Sequence, residues 1–123
     1  MSNLTYFENA KYISVETYRK NGQAIKTPVW FVIYDNVLCV VTRDKTGKIK
    51  RLRNNSNIKI ALCNFSGKIQ GDWFSGKAKF VTGKELEEIL KLRKKKYGIM
   101  DMIARFASRN KGNLIAFSIN LDK

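Results

Sequence analysis

The densest chemistry in this 123-residue sequence lies in residues 42–53, where six cations stand against a single carboxylate, Asp44. Thr46-Gly47 reads as the start of a helix of about two turns, whose unpaired first-turn N–H groups face back toward the end of the preceding strand. Such a helix start attracts anions. A phosphate there would meet the hydroxyls of Thr42 and Thr46, together with charge-assisted contacts from Lys48 and Arg51, one turn apart on the same helical face. The segment taken alone equally fits a solvated basic helix with nothing bound.

The remaining side chains narrow the chemistry. The chain has no histidine, which removes imidazole acid-base catalysis and the usual Ser-His and Cys-His triads. Cys39 and Cys63 each sit inside an apolar run, where a thiol packs as a small hydrophobe. Two isolated thiols do not make a metal site, and none is expected. Any chemistry must therefore come from a cofactor or from other side chains. The formal net charge of +14 favours polyanionic partners in general: nucleic acid, an anionic membrane or a phosphorylated small molecule.

The elements that must position these residues are mostly strands. Residues 12–18, 25–34, 37–42, 58–64 and 74–81 are rich in β-branched and aromatic types. Asn21-Gly22 and Asp35-Asn36 tolerate positive φ, so the first three strands are expected to join through two tight hairpins as a meander. Residues 29–34 are apolar at both parities, as in a barrel wall with a filled interior and a covered outer face. Pro28, the single proline, cannot donate to a ladder and marks an edge, a bulge or a place where a ligand replaces a strand. Helices are expected over residues 84–97, with a capping box from Thr82 to Glu85, and over residues 100–108, burying Ile103, Ala104 and Phe106 or Ala107. A last strand over residues 114–119 closes the barrel. The basic run 91–96 is expected on a solvated helix face. No internal repeat or linker divides the chain, which reads as one domain, residues 1–123.

An ordered series of short motifs then carries a resemblance. Lys11-Tyr12-Ile13-Ser14-Val15 leading to Asn21-Gly22, then Thr27-Pro28-Val29-Trp30-Phe31, Thr46-Gly47-Lys48-Ile49-Lys50-Arg51-Leu52-Arg53, Ala61-Leu62-Cys63 and Gly71-Asp72-Trp73 follow in register. Over about residues 5–82 the chain resembles the flavin-binding split-barrel proteins related to pyridoxamine 5′-phosphate oxidase. Within that group it is similar to the deazaflavin (coenzyme F-420)-dependent oxidoreductases. The resemblance implies a mainly β fold, a six-stranded antiparallel split barrel with flanking helices. It also implies a homodimer with two cofactors at the subunit interface. By carry-over Thr42, Thr46, Lys48 and Arg51 hold the cofactor phosphate, Pro28, Val29 and Trp30 flank its ring, and Leu62 and Cys63 approach it through backbone. Serine is commoner in the family where this chain has Thr46.

The function so implied is hydride transfer between F-420, or FMN in the same site, and a small-molecule substrate. Catalytic side chains are not identifiable from the sequence. An FMN-binding protein or a non-catalytic cofactor carrier are the alternatives. A basic nucleic-acid binder, using Tyr12, Tyr18, Trp30, Phe65 and Trp73 among lysines, is the distant one. The lysines of the run 91–96 would suit the polyglutamate tail that distinguishes F-420. No apolar stretch approaches the roughly 20 residues of a membrane span, and the first ten residues lack a secretion-signal pattern. A cytoplasmic location and no membrane partner are the expectations.

Overall fold

The computed structural model describes residues 4–122. Seven antiparallel strands form one sheet: β1 (Ile13–Tyr18), β2 (Ala24–Val29), β3 (Val32–Tyr34), β4 (Val37–Arg43), β5 (Asn57–Leu62), β6 (Phe74–Val81) and β7 (Leu114–Leu121). Their order is β2-β1-β5-β6-β7-β4-β3. Helix α1 (Leu4–Phe7) precedes the sheet, α2 (Gly47–Asn54) lies between β4 and β5, and α3 (Gly83–Tyr97) and α4 (Ile99–Ala107) lie between β6 and β7.

Both hairpins form where glycine and asparagine allow them. Gly22 has φ 90°, and Asp35 and Asn36 have φ 53° and 61°, the pair of positive values that a tight two-residue turn needs. The meander does not form. Residues 25–34, expected as one strand, break at Trp30 and Phe31, and the two pieces pair elsewhere, β2 with β1 and β3 with β4. Seven strands therefore replace the expected six. The break also explains the curvature. A flat sheet of seven strands would separate its edges by about 29 Å, whereas Val29 and Val32, on opposite edges, are joined by three Cα steps that reach about 11 Å at most. The sheet must curl until its edges approach, which makes the split half-barrel. Pro28 lies on the edge strand β2, where a missing N–H leaves the ladder intact. β7 does not close an edge; it runs through the middle of the sheet between β6 and β4.

The barrel interior holds Ile13, Val15, Leu38, Val40, Ile58, Ile60, Phe117 and Ile119, all nearly or wholly buried. Two plugs complete it. α2 inserts Ile49 and Leu52, and α1, which the residue pattern does not announce, inserts Phe7 edge-on to Phe31 and Phe74. On the outer face α3 packs Ile89 against Val32, Cys39, Val81 and Ala116. Thr82 begins α3 in extended conformation, but its side chain makes no cap hydrogen bond, so the expected capping box is not closed.

α4 reverses the expected orientation. Ile103 and Phe106 are 54% and 67% exposed, while Asp101 is 1% exposed. The cause is electrostatic. Asp101 sits between Arg93 and Arg105, with Oδ1 2.9 Å from Arg93 Nε and Oδ2 accepting from Arg105 Nε at 3.0 Å. The Arg93 contact is close in distance but poorly aligned with the N–H direction, so it acts as a charge pair rather than a hydrogen bond. Burying that carboxylate beside Arg93 turns the apolar stripe of α4 outward. Arg93 is thus buried, against the expectation of a wholly solvated basic face. Removing one partner of a buried pair strands the other charge. Asp101→Ala is expected to cost about 3–5 kcal/mol in urea unfolding; a loss below about 1 kcal/mol would show that the pair does not orient α4.

Candidate cofactor-binding site

β4 ends at Arg43, and the turn that follows delivers the chain to α2. Arg43 belongs to the scaffold: its Nε donates to Ser108 Oγ, one Nη to Gly112 O and the other to Arg105 O, at 2.9–3.1 Å. Asp44 fastens the same turn to Asn113, accepting the Asn113 N–H at Oδ1 and donating its own N–H to Asn113 O. The start of α2 is therefore held firmly to the connection that leads into β7.

Thr46 occupies the N-cap position of α2 with φ −85° and ψ 157°, but its hydroxyl donates to Arg43 O at 2.9 Å instead of capping the helix. The first-turn N–H groups of α2 are left without a side-chain cap. Arg51 folds back over this turn. Its Nε donates to the buried Thr17 Oγ1 at 2.7 Å, and its Nη1 lies 2.9 Å from where a Cβ on Gly47 would stand. Glycine at 47 gives the guanidinium that space. Gly47, Lys50, Arg51 and Asn54 line one side of an open groove of about 430 Å³, with Tyr18, Arg19 and Lys20 opposite.

Lys48 lies off this groove, on the side of α2 toward Lys111. Burial lowers its pKa, and the charges of Arg51 and Lys111 lower it further. Arg51 is likewise lowered by burial and by Arg19. None of these cations is in an ion pair among the described residues. Lys48 and Arg51 are close enough to repel one another, as their spacing predicts, and Lys50 and Arg19 join them without having been singled out in the sequence. Thr42, half-buried in β4 opposite Ile115, has no side-chain hydrogen bond among the described residues.

The residues assigned to the ring form a second group. Val29 and Leu62 flank Ile13 in one row across β2, β1 and β5 and pack against the core from its margin. Pro28 is one step along, opposite Ser14, with the 64–68 turn lying over it at Gly67. Cys63 is buried and bridges to Ile69. Both cysteines are free thiols whose pKa values burial raises, Cys39 to about 11, so neither is poised as a thiolate. Four residue steps along β1 separate Ile13 from Thr17, the partner of Arg51, so the two groups lie about 13 Å apart along the strand. They are not one enclosed pocket within a single chain. Trp30 stacks on Tyr97 with centroids 4.3 Å apart and planes 9° apart, and the Arg93 guanidinium stands 5.1 Å from its ring. One face of this indole is already covered by the protein.

Tyr97 and Lys96 also serve the strand break. Phe31 N–H donates to Tyr97 Oη, and Phe31 O faces both Tyr97 Oη and Lys96 Nζ at 3.0 and 2.9 Å. Burial pushes the Lys96 ammonium down to about 8, even though it stands over the Phe31 ring.

The family model described as pyridoxamine 5′-phosphate oxidase matches residues 4–123. No curated protein matches the chain. Among solved structures, a conserved hypothetical protein from Mycobacterium tuberculosis superposes with a TM-score of 0.75 at 18% identity, covering 100% of this chain and 82% of the other. HutZ, described as a heme storage protein from Vibrio cholerae, gives 0.74 at 12% identity, with 100% and 92% covered. A putative pyridoxamine 5′-phosphate oxidase from Listeria innocua gives 0.64 at 11% identity, with 98% and 90% covered. At these identities the structures share the fold.

The lowered Lys96 pKa gives a signed pH effect. From about pH 8 to the ordinary lysine value of 10.5 the unfolded chain holds a proton here that the folded chain has released, so stability attributable to Lys96 rises across that window. Tyr97, pushed up to about 12 by burial, acts oppositely above pH 10, where the unfolded chain releases a proton that the folded chain keeps. The difference isolates the lysine: relative to Lys96→Gln, the melting temperature of the unaltered protein is expected to climb between pH 8 and 10.5. A flat difference in thermal melts across that range would contradict the assignment.

Proposed function

Because this chain belongs to the pyridoxamine 5′-phosphate oxidase family, we propose that it binds a flavin-type cofactor, coenzyme F-420 or FMN, and serves as an oxidoreductase toward a small molecule. The observation that carries this reading is the set of cations around the start of α2. Lys48 and Arg51 are lowered by burial and by neighbouring positive charge, and lack any carboxylate partner among the described residues. A structure holds like charges together at such a cost where an anion offsets it. A cofactor phosphate fits: Arg51, already oriented by Thr17, gives a directional contact, the uncapped α2 N–H groups give hydrogen bonds, and Lys48 and Lys50 give charge.

When bound, the cofactor ring supplies the hydride or electron transfer. The chain's own part is to fix the phosphate, align the ring along the Val29 and Leu62 margin and keep water from it. The open groove and the 13 Å between the two groups favour a homodimer in which the partner subunit supplies the missing wall. The heme associated with HutZ is a weaker reading, since no histidine is present to ligate iron.

Titration of the purified protein with F-420 and with FMN, followed by fluorescence, tests the proposal. Micromolar binding of one of them is expected. Lys48→Ala and Arg51→Ala should each weaken it by about 1.5–3 kcal/mol, roughly tenfold to a hundredfold, with the circular dichroism spectrum preserved. Absence of binding by both cofactors would remove the reading.

A further inference from the structure

The outward face of α4 has no part in that site. Ile99, Met102, Ile103 and Phe106, spaced as one helical stripe, are 72%, 60%, 54% and 67% exposed, and Met100 beside them is 52% exposed. Scattered apolar side chains on a surface are ordinary, but a continuous stripe along a whole helix marks a contact surface. Its surroundings identify the chemistry of the partner. Of the eight Lys and Arg from residue 91 to residue 111, Lys91 pairs with Glu88, and Arg93 and Arg105 share the buried Asp101, which leaves Lys94, Lys95, Lys96, Arg109 and Lys111 without a carboxylate partner among the described residues. Lys94 and Lys95 close the last turn of α3 immediately before the stripe, and Lys111 follows it. Arg109 folds its guanidinium to 3.9 Å from the Phe106 ring.

We propose that α4 is an interfacial anchor that lays its apolar stripe into the surface of an anionic lipid bilayer, with the surrounding cations at the level of the lipid phosphates. An amphipathic helix with bulky apolar groups on one side and a cationic border has the make-up of a helix lying in the plane of a membrane interface, and a basic patch beside it adds electrostatic attraction to anionic lipid. A second copy of the chain suits the face poorly. A two-fold contact through α4 would bring the same cationic border against itself. The expectation of no membrane partner came from the lack of a spanning segment. No helix among the described residues is long and apolar enough to cross a bilayer, and an anchor lying on the surface needs none.

Charge alone draws any strongly basic protein to anionic vesicles, so the test must separate the stripe from the charge. The full-length protein is sedimented with large vesicles of phosphatidylglycerol and phosphatidylcholine, or of phosphatidylcholine alone, at 0.1 and 0.5 M salt. Binding to the anionic vesicles that persists in part at the higher salt is expected. The double variant Ile103→Glu/Phe106→Glu should lower the partition coefficient at least tenfold, while Ile103→Leu/Phe106→Leu retains it. Both pairs lie on the surface, and thermal melts confirm that folding is kept. No binding, or binding that the glutamate variant leaves unchanged, overturns the proposal. So does a solution dimer, seen by analytical ultracentrifugation, that the glutamate variant dissociates, because the stripe then belongs to a second copy.

Discussion

The architecture depends on how the backbone of Phe31 is satisfied. At this residue the chain leaves one edge of the sheet for the other, and its N–H and C=O lose the ladder partners that a continuous strand would give them. An unpaired backbone group away from water costs as much as a lost hydrogen bond. The end of α3 provides substitutes: the Tyr97 hydroxyl accepts from Phe31 N–H, and the Lys96 ammonium donates to Phe31 O. Tyr97 Oη also lies 2.7 Å from Lys11 O, just before β1. One phenol thereby ties together the two margins of the half-barrel. The stacking of Trp30 on Tyr97 and the approach of Arg93 reinforce the same joint. Curvature of the sheet, the position of α3 and the margin carrying Val29 all follow from it.

Much of this was legible in the residue pattern, and the failures have identifiable causes. Turn chemistry announced both hairpins, because Asn21-Gly22 and Asp35-Asn36 are among the few pairs that accept the required dihedrals. β-branched and aromatic content announced the strands. The break at Trp30 was hidden because residues 29–34 are apolar on both parities, so no change of period marks the place where the chain changes partners. α4 was read inside out for a related reason: its apolar stripe is strong, and a buried salt link to Arg93, formed through tertiary contact, outweighs it. The cationic start of α2 was visible in composition, and the mutual influence of Lys48 and Arg51 follows from their spacing. The placement of Lys50 on the groove and of Lys48 toward Lys111 depends on how the helix is rolled on the sheet, which its short sequence does not specify.

The positive charges divide by environment. Arg43 and Arg93 are consumed by the scaffold, one holding three acceptors around the turn into β7, the other neutralised by Asp101. Around α2 the cations have no carboxylate partner among the described residues, and burial first, then neighbouring positive charge, lowers the pKa values of Lys48 and Arg51. Exposed lysines at the end of α3 face water. A single figure for net charge merges three physically different populations, of which the uncompensated one speaks most directly for a ligand.

The position of β7 has a consequence for biosynthesis. It fills the centre of the sheet, pairing Leu38 of β4 with Ile119, a residue far downstream. The β3–β4 hairpin can close early through its own turn, yet the flank of β4 waits for β7 to leave the ribosome. Until then a markedly apolar ribbon stays open to water or to a chaperone. Non-local pairings of this kind slow the search for the native topology, and nascent chains are vulnerable to self-association until β7 has been made.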